Sequence, residues 1–136
     1  MDTSGETLAA EVKGGAVPYL QVDGAMKAAD FYERAFGAQR VAFYPPDEAG
    51  RTMHVHLYVN GGSVMLTDPY PEHGYPLEKP QGFNVLLEVD DIDAWWKRAV
   101  DAGATVVTPL SEMFWGARYG QLRDPFGVLW SMNQPL

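Results

Sequence analysis

The chain has 136 residues, a hydrophobic content of 46% and a formal net charge of -8 at pH 7, which fits one globular domain with a substantial core. The acidic balance argues against nucleic acid as a partner, because phosphate backbones are bound by clustered Lys and Arg. No cysteine is present, which excludes disulfides and thiolate chemistry, and no apolar run approaches the ~20 residues that a transmembrane helix needs.

The first sixteen residues are polar and include Asp2, Glu6 and Glu11, with no apolar signal core between them. We expect residues 1–16 to be a flexible tail, the protein to be cytoplasmic and no membrane to be among its partners. The patterning of a folded domain runs from residue 17 to about residue 134.

The first half of this domain is predicted to contain one strand, one helix and three further strands. Apolar residues at helical spacing predict a helix over residues 25–36, and Gly37 is the expected stop. Asn60-Gly61 predicts a two-residue hairpin. Strands are predicted at residues 17–22, 39–44, 53–59 and 63–67.

The second half repeats the first. Val22-Asp23 recurs as Val89-Asp90, and Gly37-Ala38 recurs as Gly103-Ala104. The proline-rich residues 69–82 are predicted to be a linker. We therefore expect two modules, at about residues 17–68 and 83–134, within a single domain.

The second module also contains a predicted helix, over residues 92–102, which Asp90 or Asp91 would cap. Asp124-Pro125-Phe126-Gly127 predicts a type I turn between the last two strands. Strands are predicted at residues 84–89, 105–108, 119–123 and 128–133, with a loop at 109–113. The fold class is therefore α+β, with the unit βαβββ present twice.

Five segments carry more specific local sequences: residues 23–38, 51–57, 89–93, 102–106 and 114–127. Together they resemble the glyoxalase/bleomycin-resistance/dioxygenase superfamily, also called vicinal oxygen chelate proteins. Within it, the pieces Phe114-Trp115-Gly116 and Asp124-Pro125-Phe126-Gly127 are similar to the PhnB-like branch. The resemblance implies two tandem βαβββ modules whose curved mixed sheets form a cup, usually in a homodimer. It implies no single reaction, because isomerases, dioxygenases, antibiotic-modifying transferases and drug-binding proteins all belong to the superfamily.

The resemblance also implies where metal ligands would lie. The corresponding positions are Val17 and Asn84 on the first strand of each module, and Ser131 on the last strand, with Leu66 or Thr67 as its counterpart in the first module. Valine has no donor atom, and neutral Ser and Asn are poor ligands for ions that other members hold with imidazole and carboxylate. We therefore expect no metal at the usual positions and no cofactor.

Strand alternation places a different set of side chains toward the cup. The set mixes aromatic walls with a few polar groups, which is typical of small-molecule sites. The residues predicted to bind the ligand are Tyr19, Gln21, His54, His56, Tyr58, Asn84, Trp115 and Arg118.

Some of these residues have alternative interpretations. His54 and His56, two apart on a strand, could combine with Glu88 in a displaced metal site or act as acid–base groups, with His56 and Glu88 as candidate catalytic residues. His54 could equally be an ordinary hydrogen-bonded part of the sheet. Arg118, with its repeat partner Arg51, could serve only in a structural salt bridge.

Three functions remain open. We favour a dimeric protein that binds a small molecule in the cup without a metal. One alternative is a lyase, isomerase or dioxygenase of the same superfamily that uses His54, His56 and Glu88. The other is a resistance protein that sequesters an antibiotic, and the acidic balance would suit a cationic drug.

Overall fold

The computed structural model describes residues 10–136; residues 1–9, which belong to the predicted tail, lie outside the described residues. The chain divides into two compact units. The first unit contains the described residues up to Glu33 and Gly37–Glu78, and the second contains Arg34–Phe36 and Lys79–Leu136. Within the described chain, no helix is long and apolar enough to cross a membrane.

The first unit is built on a four-stranded mixed sheet. Its elements are β1 (Tyr19–Gln21), α1 (Ala25–Phe36), β2 (Gln39–Phe43), β3 (Val55–Val59) and β4 (Gly62–Thr67), followed by a 3-10 turn at Pro71–His73. The strand order is β1-β4-β3-β2, with β1 parallel to β4 and the other pairs antiparallel. At the β3–β4 hairpin, Asn60 and Gly61 have φ values of 51° and 83°, as the predicted two-residue turn requires.

The N-terminus of α1 is capped by a residue that is far away in the sequence. Gly24 precedes the helix and has no side chain to cap it, so the carboxylate of Asp68 accepts hydrogen bonds from the backbone N–H of Gly24 and of Ala25 at 2.7 and 3.1 Å. At the other end, Gly37 adopts the left-handed conformation and terminates the helix as predicted. The apolar stripe of α1 is fully buried, which explains why this stretch is helical.

The second unit has a four-stranded sheet of the same type. Its elements are β5 (Val85–Glu88), α2 (Ile92–Ala102), β6 (Thr105–Met113), β7 (Ala117–Arg123) and β8 (Leu129–Pro135). The order is β5-β8-β7-β6, with β5 parallel to β8. Asp91, one of the two predicted caps, accepts from the backbone N–H of Ala94 at 3.3 Å. The predicted α+β fold with two βαβββ modules is confirmed.

One local prediction was wrong. Residues 109–113 were expected to form a loop, but β6 continues through them to Met113. The pairing of β6 with β7 shifts register between Val106 and Thr108 and again between Thr108 and Ser111. Pro109 lies in this interruption on the edge strand, where its missing N–H costs no ladder hydrogen bond.

The core follows the strand alternation. In the second unit, Trp130 and Met132 are fully buried, and the indole N–H of Trp130 donates to the buried carboxylate of Asp124 at 2.9 Å. That carboxylate also accepts from the backbone N–H of Phe126 and of Val128, which fixes the predicted turn. In the first unit, the buried apolar sheet residues are Leu20, Ala42, Val55, Leu57, Val59, Val64 and Leu66.

Candidate functional site

The other side of the first sheet carries polar and aromatic side chains. In the strand register, Tyr19 lies across from Met65 and Met65 lies across from His56, so these side chains share one side of the sheet. We call this side the open face; it consists of Tyr19, Gln21, His56, Tyr58, Ser63, Met65 and Thr67.

A row of rings runs along this face. The ring centroids of Tyr19 and His54 are 6.1 Å apart, those of His54 and His56 are 6.3 Å apart, and those of His56 and Tyr58 are 5.3 Å apart. His54 lies immediately before β3, and its ring stands between those of Tyr19 and His56. The structure therefore brings together four of the predicted ligand-binding residues.

The hydroxyl of Tyr19 indicates the tautomer of His54. The hydroxyl oxygen is 3.0 Å from the carbonyl oxygen of Met53 and 3.0 Å from Nδ1 of His54. A hydroxyl has one hydrogen, so both bonds form if it donates to Met53 and Nδ1–H of His54 donates to it. Burial lowers the pKa of His54 and raises the pKa of Tyr19, which favours both neutral forms. His54 then has Nε2 as a hydrogen-bond acceptor.

His56 is buried and engaged within the face. Its Nε2 lies 2.7 Å from Oγ of Ser63, and the same oxygen accepts the backbone N–H of Lys13 at 2.7 Å. Burial lowers the pKa of His56, and the neighbouring His54 lowers it further. His56 is therefore also neutral at pH 7.

Residues 11–13, part of the predicted tail, lie against the end of the open face. The hydroxyl of Tyr58 donates to the carbonyl oxygen of Glu11 at 2.7 Å, and Nζ of Lys13 lies 4.2 Å from the centroid of the Tyr58 ring. Tyr19, at the other end of the row, is 52% exposed, so the row opens to solvent at Tyr19.

A cavity of about 510 Å³ opens beside Tyr19. We call it the tyrosine cavity; its lining residues are Tyr19, Gln21, Met53, Thr67, Asp68, Tyr70, His73 and Tyr75. The carboxylate of Asp68 is occupied, because it holds Gly24 and Ala25 and also accepts from the backbone N–H of Thr52 at 2.9 Å. The walls available to a ligand are therefore mainly aromatic.

One wall of the tyrosine cavity is a loop that the sheet holds in place. Within the loop, Tyr70 and Tyr75 exchange two backbone hydrogen bonds, of 2.7 and 2.9 Å. The side-chain amide of Gln21 donates to the carbonyl oxygen of Pro76 at 2.9 Å and accepts from the N–H of Glu78 at 2.7 Å. Gln21, a predicted ligand-binding residue, thus serves to position the wall.

Arg51 fastens the same loop through charge. Its guanidinium donates to both carboxylate oxygens of Glu72, at 3.1 and 2.7 Å, and lies 4.3 Å from the centroid of the Tyr70 ring. The hydrogen bond from Arg51 lowers the pKa of Glu72 to about 2. The salt bridge that the sequence suggested for Arg51 is present.

The other predicted site residues lie in the second unit. Oγ of Ser131 donates to Oδ1 of Asn84 at 2.5 Å. The amide of Asn133 donates to Glu88 at 2.9 Å and accepts from the indole N–H of Trp115 at 3.2 Å. All of these groups are neutral hydrogen-bonding partners except Glu88.

Arg118, on β7, pairs with α2. Its Nη1 is 2.9 Å from a carboxylate oxygen of Asp93, and this contact raises the pKa of Arg118 and lowers that of Asp93. The structure thus contains a salt bridge of the kind that the sequence suggested for Arg118. The binding and catalytic roles assigned to the residues of both units stay predictions.

Residues 15–132 match the family model described as the Glyoxalase/Bleomycin resistance protein/Dioxygenase superfamily. The chain belongs to this superfamily. The uncharacterized protein Rv0887c of Mycobacterium tuberculosis is 42% identical over 139 residues, which cover 97% of this chain and 81% of that protein.

Two solved structures of this superfamily fold extend the comparison. Protein PA1353 from Pseudomonas aeruginosa is 32% identical, with a TM-score of 0.73, over 88% of this chain and 96% of that chain. TnmS3, an antibiotic binding protein from Streptomyces sp. CB03234, is 27% identical, with a TM-score of 0.68, over 93% of this chain and 97% of that chain.

The side chains at the superfamily's usual ligand positions do not fit a divalent metal. Val17 has no donor atom, and in the second unit Ser131 and Asn84 are neutral and hydrogen-bonded to each other. Across residues 10–136, no group of three or more His, Asp or Glu side chains is placed to hold an ion. The expectation of a metal-free site rests on this donor chemistry and stays a prediction.

Sequence reasoning missed six residues that line the tyrosine cavity: Met53, Thr67, Asp68, Tyr70, His73 and Tyr75. Three of them belong to the segment predicted to be a linker, whose aromatic content was the available signal. Their placement depends on the pairing of Tyr70 with Tyr75 and on anchors from β1, which no local pattern indicates.

Proposed function

We propose that this superfamily member binds a flat apolar or aromatic small molecule in the tyrosine cavity, without a metal. The observation that carries the proposal is the cavity itself, whose walls are aromatic and whose Asp68 and Gln21 side chains are already hydrogen-bonded to the protein. An aromatic ligand would bind there by stacking on the tyrosine rings and by displacing water from them.

The comparison with TnmS3 supports binding over catalysis, because that protein is an antibiotic binding protein with the same fold. A narrower form of the proposal is therefore that the ligand is an antibiotic that the protein sequesters. The net charge of -8 would favour a cationic compound.

We further propose that the protein belongs to the PhnB-like branch, lies in the cytoplasm and forms a homodimer. Light scattering on the purified protein tests the dimer.

The first test compares two exposed tyrosines. Tyr75 lines the cavity and is 68% exposed, whereas Tyr44 is 48% exposed and is not among the lining residues. Native mass spectrometry of freshly purified protein, followed by calorimetry with a panel of planar aromatic compounds, would identify and rank ligands. We expect Tyr75→Ala to weaken binding about threefold to tenfold, since an aromatic contact contributes ~0.5–1.5 kcal/mol.

Tyr44→Ala is the matched control and should bind like the wild type. Equal affinities of the wild type and Tyr75→Ala for every compound that binds would place the ligand elsewhere. Failure of all planar compounds to bind, with no ligand retained from cells, would contradict the proposed function.

An enzymatic function is the second candidate, as a lyase, isomerase or dioxygenase. The observation that favours it is the Tyr19–His54 hydrogen bond, which leaves a neutral imidazole with an acceptor nitrogen beside the cavity. Mass spectrometry of a bound ligand over time would distinguish the two candidates. Conversion by the wild type that is lost in His54→Gln would establish catalysis, and an unchanged ligand would favour binding alone.

A further inference from the structure

The second unit contains a cavity of its own, of about 420 Å³. It opens between residues 79–83 and the β7–β8 hairpin, and it shares no lining residue with the tyrosine cavity. We propose that it binds a small organic anion with a flat apolar body, such as an aromatic carboxylate. We call it the cationic cavity; its lining residues are Lys79, Pro80, Gln81, Gly82, Phe83, Arg123, Gly127 and Leu129.

The charge of the lining supports an anion. Lys79 and Arg123 contribute two positive charges, and no Asp or Glu lines the cavity. Neither cation forms a salt bridge with any residue between 10 and 136, whereas Arg40, Arg51, Lys97 and Arg118 all do. In a chain of net charge -8, two cations in one cavity without a carboxylate make a local site where an anion is attracted.

Arg123 is held in position for this role. Its Nη1 donates to the carbonyl oxygen of Gly127 at 2.9 Å, which ties the guanidinium to the hairpin turn. A guanidinium has five N–H donors, so this bond leaves enough of them for a bidentate pair with a carboxylate. Lys79 would then add a second, more flexible charge contact.

The apolar part of the lining determines what the anion should be attached to. The ring of Phe83 is 49% exposed, and Pro80 and Leu129 also line the cavity. A flat ring placed on Phe83 would cover this exposed surface while its carboxylate reached the cations. An inorganic ion would leave the apolar wall exposed to water. An aromatic carboxylate would contact both the apolar residues and the two cations of the lining.

Gly127 faces Pro80 across the cavity. Its φ of +93° favours glycine, and a Cβ at this position would lie at ordinary contact distance, 3.7 Å from Cδ of Pro80. Glycine is therefore needed here for the backbone conformation of the turn and not for space.

The test uses 2-naphthoate and its neutral analogue 2-naphthamide as probes. Titration followed by amide NMR should shift the signals of Lys79, residues 81–83 and Gly127 with 2-naphthoate, and calorimetry should give the Kd. The amide should bind at least about tenfold more weakly, because a hydrogen bond to a charged group contributes ~1.5–3 kcal/mol. Added salt should weaken only the carboxylate.

Two variants and two controls complete the experiment. Arg123→Gln and Lys79→Gln should each raise the Kd for 2-naphthoate, Arg123→Gln by about tenfold. Lys27→Gln removes an exposed lysine of α1 and should leave the Kd unchanged. Tyr75→Ala removes an aromatic wall of the tyrosine cavity, and the NMR shifts that 2-naphthoate causes at residues 81–83 and Gly127 should be the same in this variant as in the wild type. Equal affinity for the two probes, NMR shifts confined to other residues, or wild-type affinity in both cavity variants would overturn the proposal. Because the two cavities share no lining residue, NMR shifts at residues 81–83 and Gly127 test this proposal, whereas shifts at Tyr70 and Tyr75 test the proposed function.

Discussion

At the scale of single residues, Asp68 connects parts of the first unit that are far apart in sequence. Its buried carboxylate holds the start of α1 through Gly24 and Ala25 and also holds Thr52, which precedes β3. Gln134 has the corresponding role in the second unit, since its side-chain oxygen accepts from the N–H of Ile92 at 3.0 Å. In each unit a residue close to the end of the last strand caps the helix.

Asp68→Ala should therefore destabilise the protein strongly. The substitution leaves three backbone N–H groups without their acceptor and removes the helix cap, so we expect the free energy of unfolding to fall by about 2–4 kcal/mol. Urea denaturation followed by circular dichroism measures the change. Asp23→Ala, which removes an exposed carboxylate beside the same helix, should cost less than about 0.5 kcal/mol. A small effect of Asp68→Ala would mean that water replaces the carboxylate.

At the scale of elements, the sequence allowed both helices to be predicted with their observed limits, because each has an apolar stripe and a glycine stop. The hairpins at Asn60-Gly61 and at Asp124–Gly127 followed from turn chemistry. The extension of β6 through Pro109 could not be predicted, because pairing with β7 overrides the local turn signal. In the candidate site, the positions of Tyr19 and Gln21 could be predicted from strand alternation. The positions of Tyr70 and Tyr75 could not, because they depend on tertiary contacts.

The packing of α2 on its sheet depends on one glycine. Gly120 lies in β7, and a Cβ built there would be 2.6 Å from atoms of the Trp96 ring and 3.0 Å from the carbonyl oxygen of Thr108. Trp96 thus occupies the space that a side chain at position 120 would need. Glycine is required here for close approach and not for an unusual φ.

Gly120→Ala should destabilise the protein by about 1–3 kcal/mol, the usual cost of overpacking a filled site. Gly62→Ala is the matched control, because Gly62 is also a strand glycine and the nearest atom to its Cβ position is the carbonyl oxygen of Val59 at 3.9 Å. Thermal unfolding followed by Trp fluorescence and by circular dichroism compares the two. Equal melting temperatures for the two variants would show that the Trp96 ring moves aside without cost.

At the scale of the whole molecule, the stability of the fold should depend on pH through His54 and His56. Burial holds the pKa of both side chains below the ordinary value of about 6.5, and for His56 the neighbouring His54 adds to the effect. In the unfolded chain both recover the ordinary value. As the pH falls through about 6.5, the unfolded state therefore binds protons first, and the free energy of unfolding decreases.

We expect stability to be constant above about pH 7.5 and to fall between about pH 7.5 and 5.5, a range in which ordinary carboxylates stay ionised. Urea denaturation at several pH values gives the slope directly. His54→Gln and His56→Gln should each reduce the slope, and the double variant should have almost none, whatever each substitution does to stability at pH 8. A double variant that keeps the wild-type slope would show that neither imidazole has a depressed pKa in the folded protein.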